Sequence, residues 1–177
     1  MRRCYTSDMN LLPIATLAPV AKTVASRRVA LVYAAILTVM AVAQLYSFDD
    51  FLVLAKTFGD ISGVGGAYFV AAFLVTSEVL AIPFLLRMSL SPAFRWVSMI
   101  LGWIVAATWL KVTIWLALQG AGTGNVGFLG TVVTVTPSWW AVLMSLALVA
   151  LAAWSAWGLW PRGMIKTLTR SVHGTDQ

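Results

Sequence analysis

The sequence predicts an all-α integral membrane protein, built as a four-helix up-down-up-down bundle with a short interfacial amphipathic helix after the first span. Two observations support this prediction. Hydrophobic residues make up 60% of the 177 residues and charged residues only 10%, a ratio at which a soluble domain would expose too much apolar surface. The chain also contains runs of about 20 predominantly apolar residues, the length that crosses the hydrocarbon core as a helix.

Composition also excludes several classes of function. In a chain this apolar, we assign the net charge of +6 to membrane topology and anionic lipid headgroups and expect no nucleic acid partner. Cys4 is the single cysteine, so an intrachain disulfide cannot form. One histidine and six acidic residues argue against a protein-ligated metal centre. We therefore expect no metal site and no cofactor held by the chain alone.

Three regions are predicted along the chain. They are a basic cytoplasmic tail at 1–28, a transmembrane domain at 29–160 and a second basic cytoplasmic tail at 161–177. The spans inside the transmembrane domain are predicted at 29–46, 67–86 and 96–118, and a fourth begins with Thr136 as its cap and Pro137 in its first turn.

A short amphipathic helix is predicted directly after the first span. Ser47 and Asp50 have the spacing of a capping box, and the apolar residues that follow recur at helical spacing. Such a helix can lie on the outer membrane surface, cover the mouth of the bundle or meet a partner. If it meets a partner, the predicted interaction surface combines aromatic residues of this helix with two tryptophans that open the last span: Phe48, Phe51, Phe58, Trp139 and Trp140.

The distribution of basic residues predicts the orientation in the membrane. The outer segments carry only Lys56 as a basic residue. Because positive charge accumulates on the cytoplasmic side, both termini are predicted in the cytoplasm of a cell whose inner membrane holds the protein. The basic residues assigned to inner segments are Arg2, Arg3, Lys22, Arg27, Arg28, Arg87, Arg95, Arg162, Lys166 and Arg170.

Two charged residues fall at hydrocarbon depth, Glu78 in the second span and Lys111 in the third. A lone charge there costs roughly 2.5–3.5 kcal/mol on insertion scales, so each is expected to have a partner. Helix rise places Gln44 at about the depth of Lys111, and side-chain direction tilts Glu78 and Lys111 towards each other. We therefore predict a buried polar cluster of Gln44, Glu78 and Lys111. It is either a proton or quinone headgroup site or a structural ion pair; alternatively, Lys111 reaches the outer interface.

The order of these features resembles the DoxX/MauE-like family of small four-span membrane proteins. The stretch AQLYSFDDF places Gln44 where that family usually has a lysine, and TSEVLAIPFLL places Glu78 at its central glutamate. The paired cysteines of MauE-type members are replaced by Val126 and Phe128. The resemblance covers about 28–160 and implies the four-span fold. It also implies an association with redox complexes, without the thiol chemistry of the MauE type.

The predicted function is that of a non-catalytic integral membrane protein, an accessory subunit, anchor or assembly factor of a membrane complex, with a redox complex implied by the resemblance. Its expected partners are the lipid bilayer and another membrane or extracytoplasmic protein, with homo-oligomerisation left open. A quinone-binding subunit of a membrane oxidoreductase is the alternative. A small transporter or channel is a third reading, but few residues would line its polar path.

Overall fold

The computed structural model describes residues 21–56, 64–118, 125–136 and 138–160. Its helices, in chain order, are α1 (Val24–Tyr46), α2 (Phe48–Ala55), α3 (Val64–Leu85), α4 (Pro92–Leu118) and α5 (Trp139–Gly158). Within these ranges, α1, α3, α4 and α5 are long and apolar enough to cross a membrane. The all-α four-helix membrane bundle is therefore confirmed, and the protein is a multi-pass membrane protein.

The four long helices pack as a ring. Helix α1 contacts α3 and α5, and α4 contacts the same two helices from the opposite side. The inward stripe of α1 contains small and polar residues, whereas large apolar residues such as Val39 and Leu45 are exposed. Small buried residues and large exposed apolar residues suit a helix in lipid, where small residues permit close packing and apolar side chains can face outward. The buried residues of α1 are Ser26, Ala30, Tyr33, Ala34, Leu37, Met40, Ala41 and Gln44.

Helix α1 begins at Val24, earlier than the predicted start at residue 29. Thr23 caps it through a reciprocal pair of bonds: the Ser26 amide donates to Thr23 Oγ1 at 3.0 Å, and the Thr23 amide donates to Ser26 Oγ at 3.3 Å. The hydropathy pattern missed this start because Arg27 and Arg28 end the apolar run although the helix continues through them, with both side chains exposed. The helix therefore extends into the basic segment assigned to the N-terminal tail.

The start of α1 and the end of α5 are held together at one end of the bundle. The Lys22 amide donates to the Gly158 carbonyl at 3.1 Å, and Lys22 Nζ lies 4.3 Å from the centroid of the Trp157 ring. Gly158 has no Cβ, and one placed there would overlap the Ser26 side chain. Close approach of the two helices at this point therefore depends on glycine.

Apart from Glu78 and Lys111, the charged side chains of the described residues lie at the two ends of the bundle. The end formed by the α3–α4 turn and the start of α1, here called the basic end, carries Lys22, Arg27, Arg28, Arg87 and Arg95. The opposite end, called the α2 end, carries Asp49, Asp50 and Lys56. This asymmetry is the pattern from which a cytoplasmic basic end is predicted.

Helix α2 packs on α3 and α1 and buries Phe51. Phe51 is 0% exposed and belongs to the hydrophobic core, and Phe48 is half-buried with its ring 6.5 Å from that of Tyr68 on α3. The predicted interaction surface is therefore wrong at Phe51, because the apolar face of α2 turns towards α3. Phe58 lies outside the described residues.

Helix α5 starts later than its predicted cap. Ser138 is the N-cap residue and the helix begins at Trp139, so Thr136 is an exposed residue of the preceding loop. The helix therefore begins at the two tryptophans, and residues 125–136 are left to form a folded loop. This loop, called the cap loop below, lies at the α2 end of the bundle.

Candidate functional site

The carboxyl group of Glu78 lies at the centre of the described polar interior. Glu78 is 0% exposed, and its Oε1 atom accepts two hydrogen bonds. One comes from Gln44 Nε2 on α1 at 3.2 Å and the other from Trp109 Nε1 on α4 at 3.1 Å. Three helices thus meet at a single carboxyl oxygen.

Lys111 does not belong to this cluster. Its side chain is exposed, and it follows Trp109 by two residues, a spacing that turns the side chain by about 200° around the helix. Because Trp109 points inward to Glu78, Lys111 points away from the bundle interior. The prediction joined Gln44, Glu78 and Lys111; the structure brings the first two together and corrects the third.

Trp109 is the α4 residue that contacts Glu78, the role that was predicted for Lys111. It is 0% exposed, and its ring centroid lies 4.8 Å from that of Phe128 in the cap loop. A signal for it existed in the sequence, because a buried indole N–H requires an acceptor and Glu78 is the carboxylate of the neighbouring span.

Gln44 connects the carboxyl group to the cap loop. Its Nε2 atom donates to Glu78 Oε1 and also to the carbonyl oxygen of Phe128, each at 3.2 Å. Helix α1 ends at Tyr46, two residues beyond Gln44, and the cap loop packs on this end of the helix. The cap loop therefore covers the Glu78 site at the α2 end. No polar contact between this loop and the site was predicted from the sequence.

The cap loop is folded around the side chain of Asn125. Asn125 Oδ1 accepts from the amides of Gly127 at 3.1 Å and Val135 at 3.0 Å, while its Nδ2 donates to the Gly130 carbonyl at 2.8 Å. The Val126 amide donates to the Val135 carbonyl at 2.8 Å and closes the loop. These bonds give the loop one defined conformation, as a side-chain carboxamide often does in turns.

Val126 and Phe128, for which the resemblance to the MauE type implied the positions of its paired cysteines, both point into the protein. Val126 is 0% exposed and Phe128 is 7% exposed. At these two positions the chain has apolar packing residues, so the cap loop uses hydrophobic burial and the Asn125 bonds for its stability. Neither residue carries a thiol, so thiol chemistry cannot take place at these two positions.

A second set of bonds fastens the cap loop to α1 and α2. The Thr131 amide donates to Ser47 Oγ at 3.0 Å, and Ser47 Oγ itself donates to the Ala43 carbonyl at 3.0 Å. Thr131 Oγ1 donates to Asp50 Oδ2 at 3.2 Å. Ser47 and Asp50, expected to form a capping box, thus contribute their side-chain oxygens to the loop.

Two acceptor oxygens of the site have no hydrogen-bond partner, Glu78 Oε2 and Gln44 Oε1. Buried polar atoms are normally paired, so two unpartnered oxygens in one cluster are a feature that needs a reason. Both are acceptors: a donor group would satisfy either oxygen, and a bound proton would satisfy Glu78 Oε2. Among the described residues there is no group of three or more His, Cys, Asp or Glu side chains that could hold a metal ion.

A smaller polar region lies between the Glu78 site and the basic end. The Tyr33 hydroxyl donates to the Gly102 carbonyl at 2.8 Å, which joins α1 to α4 across the bundle. Tyr33, Ser98 and Ser155 line a narrow crevice, in which Ser155 Oγ has no partner. Nearer the α2 end than Trp109, Thr113 and Ser145 pair their hydroxyl groups at 2.8 Å and join α4 to α5.

Trp139 and Trp140 remain on the surface, as predicted for the start of the last span. They are 70% and 76% exposed, and they follow Val132 and Val133 of the cap loop, which are also exposed. These four residues, called the α2-end patch below, are exposed apolar residues on the two sides of the junction between the cap loop and α5.

Comparisons with protein-family models, with curated proteins and with solved structures found no match to this chain. The resemblance to the DoxX/MauE-like family therefore stays a prediction, based on the order of the four spans and on Glu78 at the position of the central glutamate, with Gln44 as a departure from the usual lysine.

Proposed function

We propose that this chain is a non-catalytic integral membrane subunit that binds another membrane or extracytoplasmic protein at its α2 end, as an accessory subunit, anchor or assembly factor. The observation that carries the proposal is the exposure of Trp139 and Trp140 beside a folded cap loop. Tryptophan is enriched where proteins bind one another because it buries a large area at low conformational cost.

The position of the patch supports a protein partner in addition to lipid. Trp139 and Trp140 open α5, where an interfacial tryptophan belt is also expected. Val132 and Val133, however, lie in the cap loop before the span begins and are 54% and 47% exposed. Exposed apolar residues in a loop add to the apolar surface at this end of the bundle, and such a surface favours contact with a partner.

The interior supports a structural role for the bundle. The polar groups of Tyr33, Thr113 and Ser145 are bonded to other helices, and such bonds fix the helices relative to one another. A fixed bundle with a folded cap suits a subunit that presents a surface. The redox character of the partner complex rests on the resemblance to the DoxX/MauE-like family.

The test is purification from the native membrane in mild detergent, followed by quantitative mass spectrometry and an absorbance spectrum. The Trp139→Ala/Trp140→Ala double variant is compared with Trp154→Ala, an exposed tryptophan towards the other end of α5. We expect a stoichiometric partner with the wild-type chain and with Trp154→Ala, and at least a tenfold loss of it with the double variant. A partner retained equally by all three, or no partner with the wild type, would contradict the proposal.

A quinone-binding subunit is the second candidate function, and Glu78 is the observation that favours it. A buried carboxyl with an unpartnered oxygen offers a hydrogen-bond acceptor to a quinol headgroup. Organic extraction of the purified protein tests this candidate. A quinone present at one per chain in the wild type and lost in Glu78→Gln would favour it over the accessory role.

A further inference from the structure

We propose that Glu78 is a proton-binding site roofed by the cap loop, and that the proton on Glu78 keeps the loop closed. This goes beyond the proposed binding of a partner protein and does not depend on it. The inference is drawn from the bonding of the carboxyl group, from the charges around it and from the link that Gln44 makes to the loop.

The bonding of the carboxyl group is one-sided. Both donors, Gln44 Nε2 and Trp109 Nε1, go to Oε1, and Oε2 is buried without a partner. A carboxylate would leave a bare, partly negative oxygen at hydrocarbon depth, which is strongly unfavourable when it has no donor. A proton on Oε2 removes the charge, while Oε1 remains an acceptor for both bonds already present.

The charged and titratable groups on the surrounding elements do not replace that proton. Helix α1 brings Tyr33, whose hydroxyl donates to the Gly102 carbonyl, and α2 brings Asp50, whose carboxylate accepts from Thr131 of the cap loop. Helix α4 carries Arg95 at the basic end, where it donates to the Leu90 carbonyl, and Lys111 on the opposite face. Among the described residues, α3 has no other charged side chain, and α5 and the cap loop have none. The cation that fits without displacing any side chain is therefore a proton.

The cap loop separates the site from the water at the α2 end. Gln44 Nε2 holds Glu78 and the Phe128 carbonyl together, and the Phe128 ring packs on Trp109, the other donor to Glu78. When Glu78 loses its proton, the new charge requires water or another donor at Oε2. Among the described residues, the cap loop is the segment that contacts Gln44 at this end, so ionisation of Glu78 favours an open loop that lets water reach the carboxylate.

The first measurement follows the proton itself. Glu78 is the only glutamate in the chain, so protein labelled with carboxyl-¹³C glutamate reports on this one group in infrared difference spectra, without any substitution. We expect the isotope-shifted C=O band of a protonated carboxyl at low pH and its loss as the pH rises. The titration is run with the full chain in lipid nanodiscs, in choline chloride and in NaCl. Absence of the band at every pH would overturn the proposal, and a midpoint that moves in NaCl would overturn the proton as the sole ligand.

The second measurement follows the loop. Amide hydrogen exchange of the cap loop, read by mass spectrometry, is compared between the wild type and Glu78→Gln at each pH, so that the intrinsic pH dependence of exchange cancels. We expect equal protection at low pH and, above the midpoint of the infrared titration, at least a tenfold faster exchange in the wild type. Peptides from α5 serve as the internal reference. A ratio that stays constant across the titration would overturn the coupling, and if Glu78→Gln fails to fold, the wild-type loop must still open at the infrared midpoint relative to α5.

Discussion

Trp109 on α4 donates its indole N–H to Glu78 Oε1 on α3 at 3.1 Å, and the two side chains are each 0% exposed. Helices α3 and α4 pack closely along their length, so this bond lies inside their interface. It gives a residue that reads as a packing tryptophan a polar role as well. The bond also supplies Glu78 with a hydrogen-bond donor from α4, which was the role predicted for Lys111.

The bond between Trp109 and Glu78 should contribute measurably to stability. Trp109→Phe keeps an aromatic ring against Phe128 but removes the donor, and we expect a loss of about 1–2 kcal/mol in the free energy of unfolding. Lys111→Met, two residues further along α4 and exposed, should change it by less than about 0.5 kcal/mol. Unfolding by denaturing detergent, followed by circular dichroism, measures both. Equal losses for the two variants would show that the indole bond is not the cause.

Gly130 should be required for the closed cap loop. Its φ is +57°, and a Cβ at this position would overlap Ser47 Oγ and lie 3.0 Å from the Ala43 carbonyl. Gly130→Ala is therefore expected to cost about 1 kcal/mol or more and to increase protease cleavage within the loop. Gly65→Ala is the matched control, since nothing lies within 4 Å of its Cβ position, and it should leave cleavage unchanged. A loop that resists protease equally in both variants would contradict the described packing.

The close contact between α1 and α5 at Ser26 and Gly158 should leave room for a Cβ on only one of the two residues. Gly158→Ala is expected to destabilise the protein by about 1–3 kcal/mol because the added methyl group overlaps the Ser26 side chain. Adding Ser26→Gly should restore part of that loss, although it also removes the cap bonds of α1. A double-mutant cycle on thermal unfolding tests this coupling. Strictly additive effects would mean that the two helix ends do not touch.

The hydroxyl of Tyr33 should support the bundle across its centre. Tyr33→Phe removes the bond to the Gly102 carbonyl and leaves that buried acceptor unsatisfied, so we expect a loss of about 0.5–1.5 kcal/mol. Tyr68→Phe, at a residue that is 49% exposed, should be neutral within about 0.5 kcal/mol. Thermal unfolding in the same detergent compares them, and a neutral Tyr33→Phe would exclude the bond as a stabilising contact.

The orientation of the bundle is open to direct measurement. In a Cys4→Ser background, Asp49→Cys places a thiol at the α2 end and Arg27→Cys places one at the basic end, and both positions are exposed. The excess of basic residues predicts that a membrane-impermeant maleimide labels Asp49→Cys in intact cells and labels Arg27→Cys only after permeabilisation. The reverse pattern would place the α2 end in the cytoplasm and move the proposed partner to that side.

Two residues of the candidate site could be predicted from the sequence, and the third could not. Gln44 and Glu78 are polar residues in apolar spans, and helix rise placed them at depths from which they could meet. The same calculation included Lys111 in the cluster because it compares only depth along the membrane normal. Which way a side chain points also depends on the rotation of its helix, and that is fixed only by packing against the neighbouring helices.

The sequence by itself determined the membrane class, the four spans and the presence of a helix after the first span, because apolar runs, their length and their charged ends are local properties. The tertiary structure decided the rest. It turned Phe51 inward, gave Trp109 to Glu78 and set the cap loop over Gln44. In lipid both faces of a span are apolar, so hydropathy cannot tell which face is buried, and only the packing of the helices does.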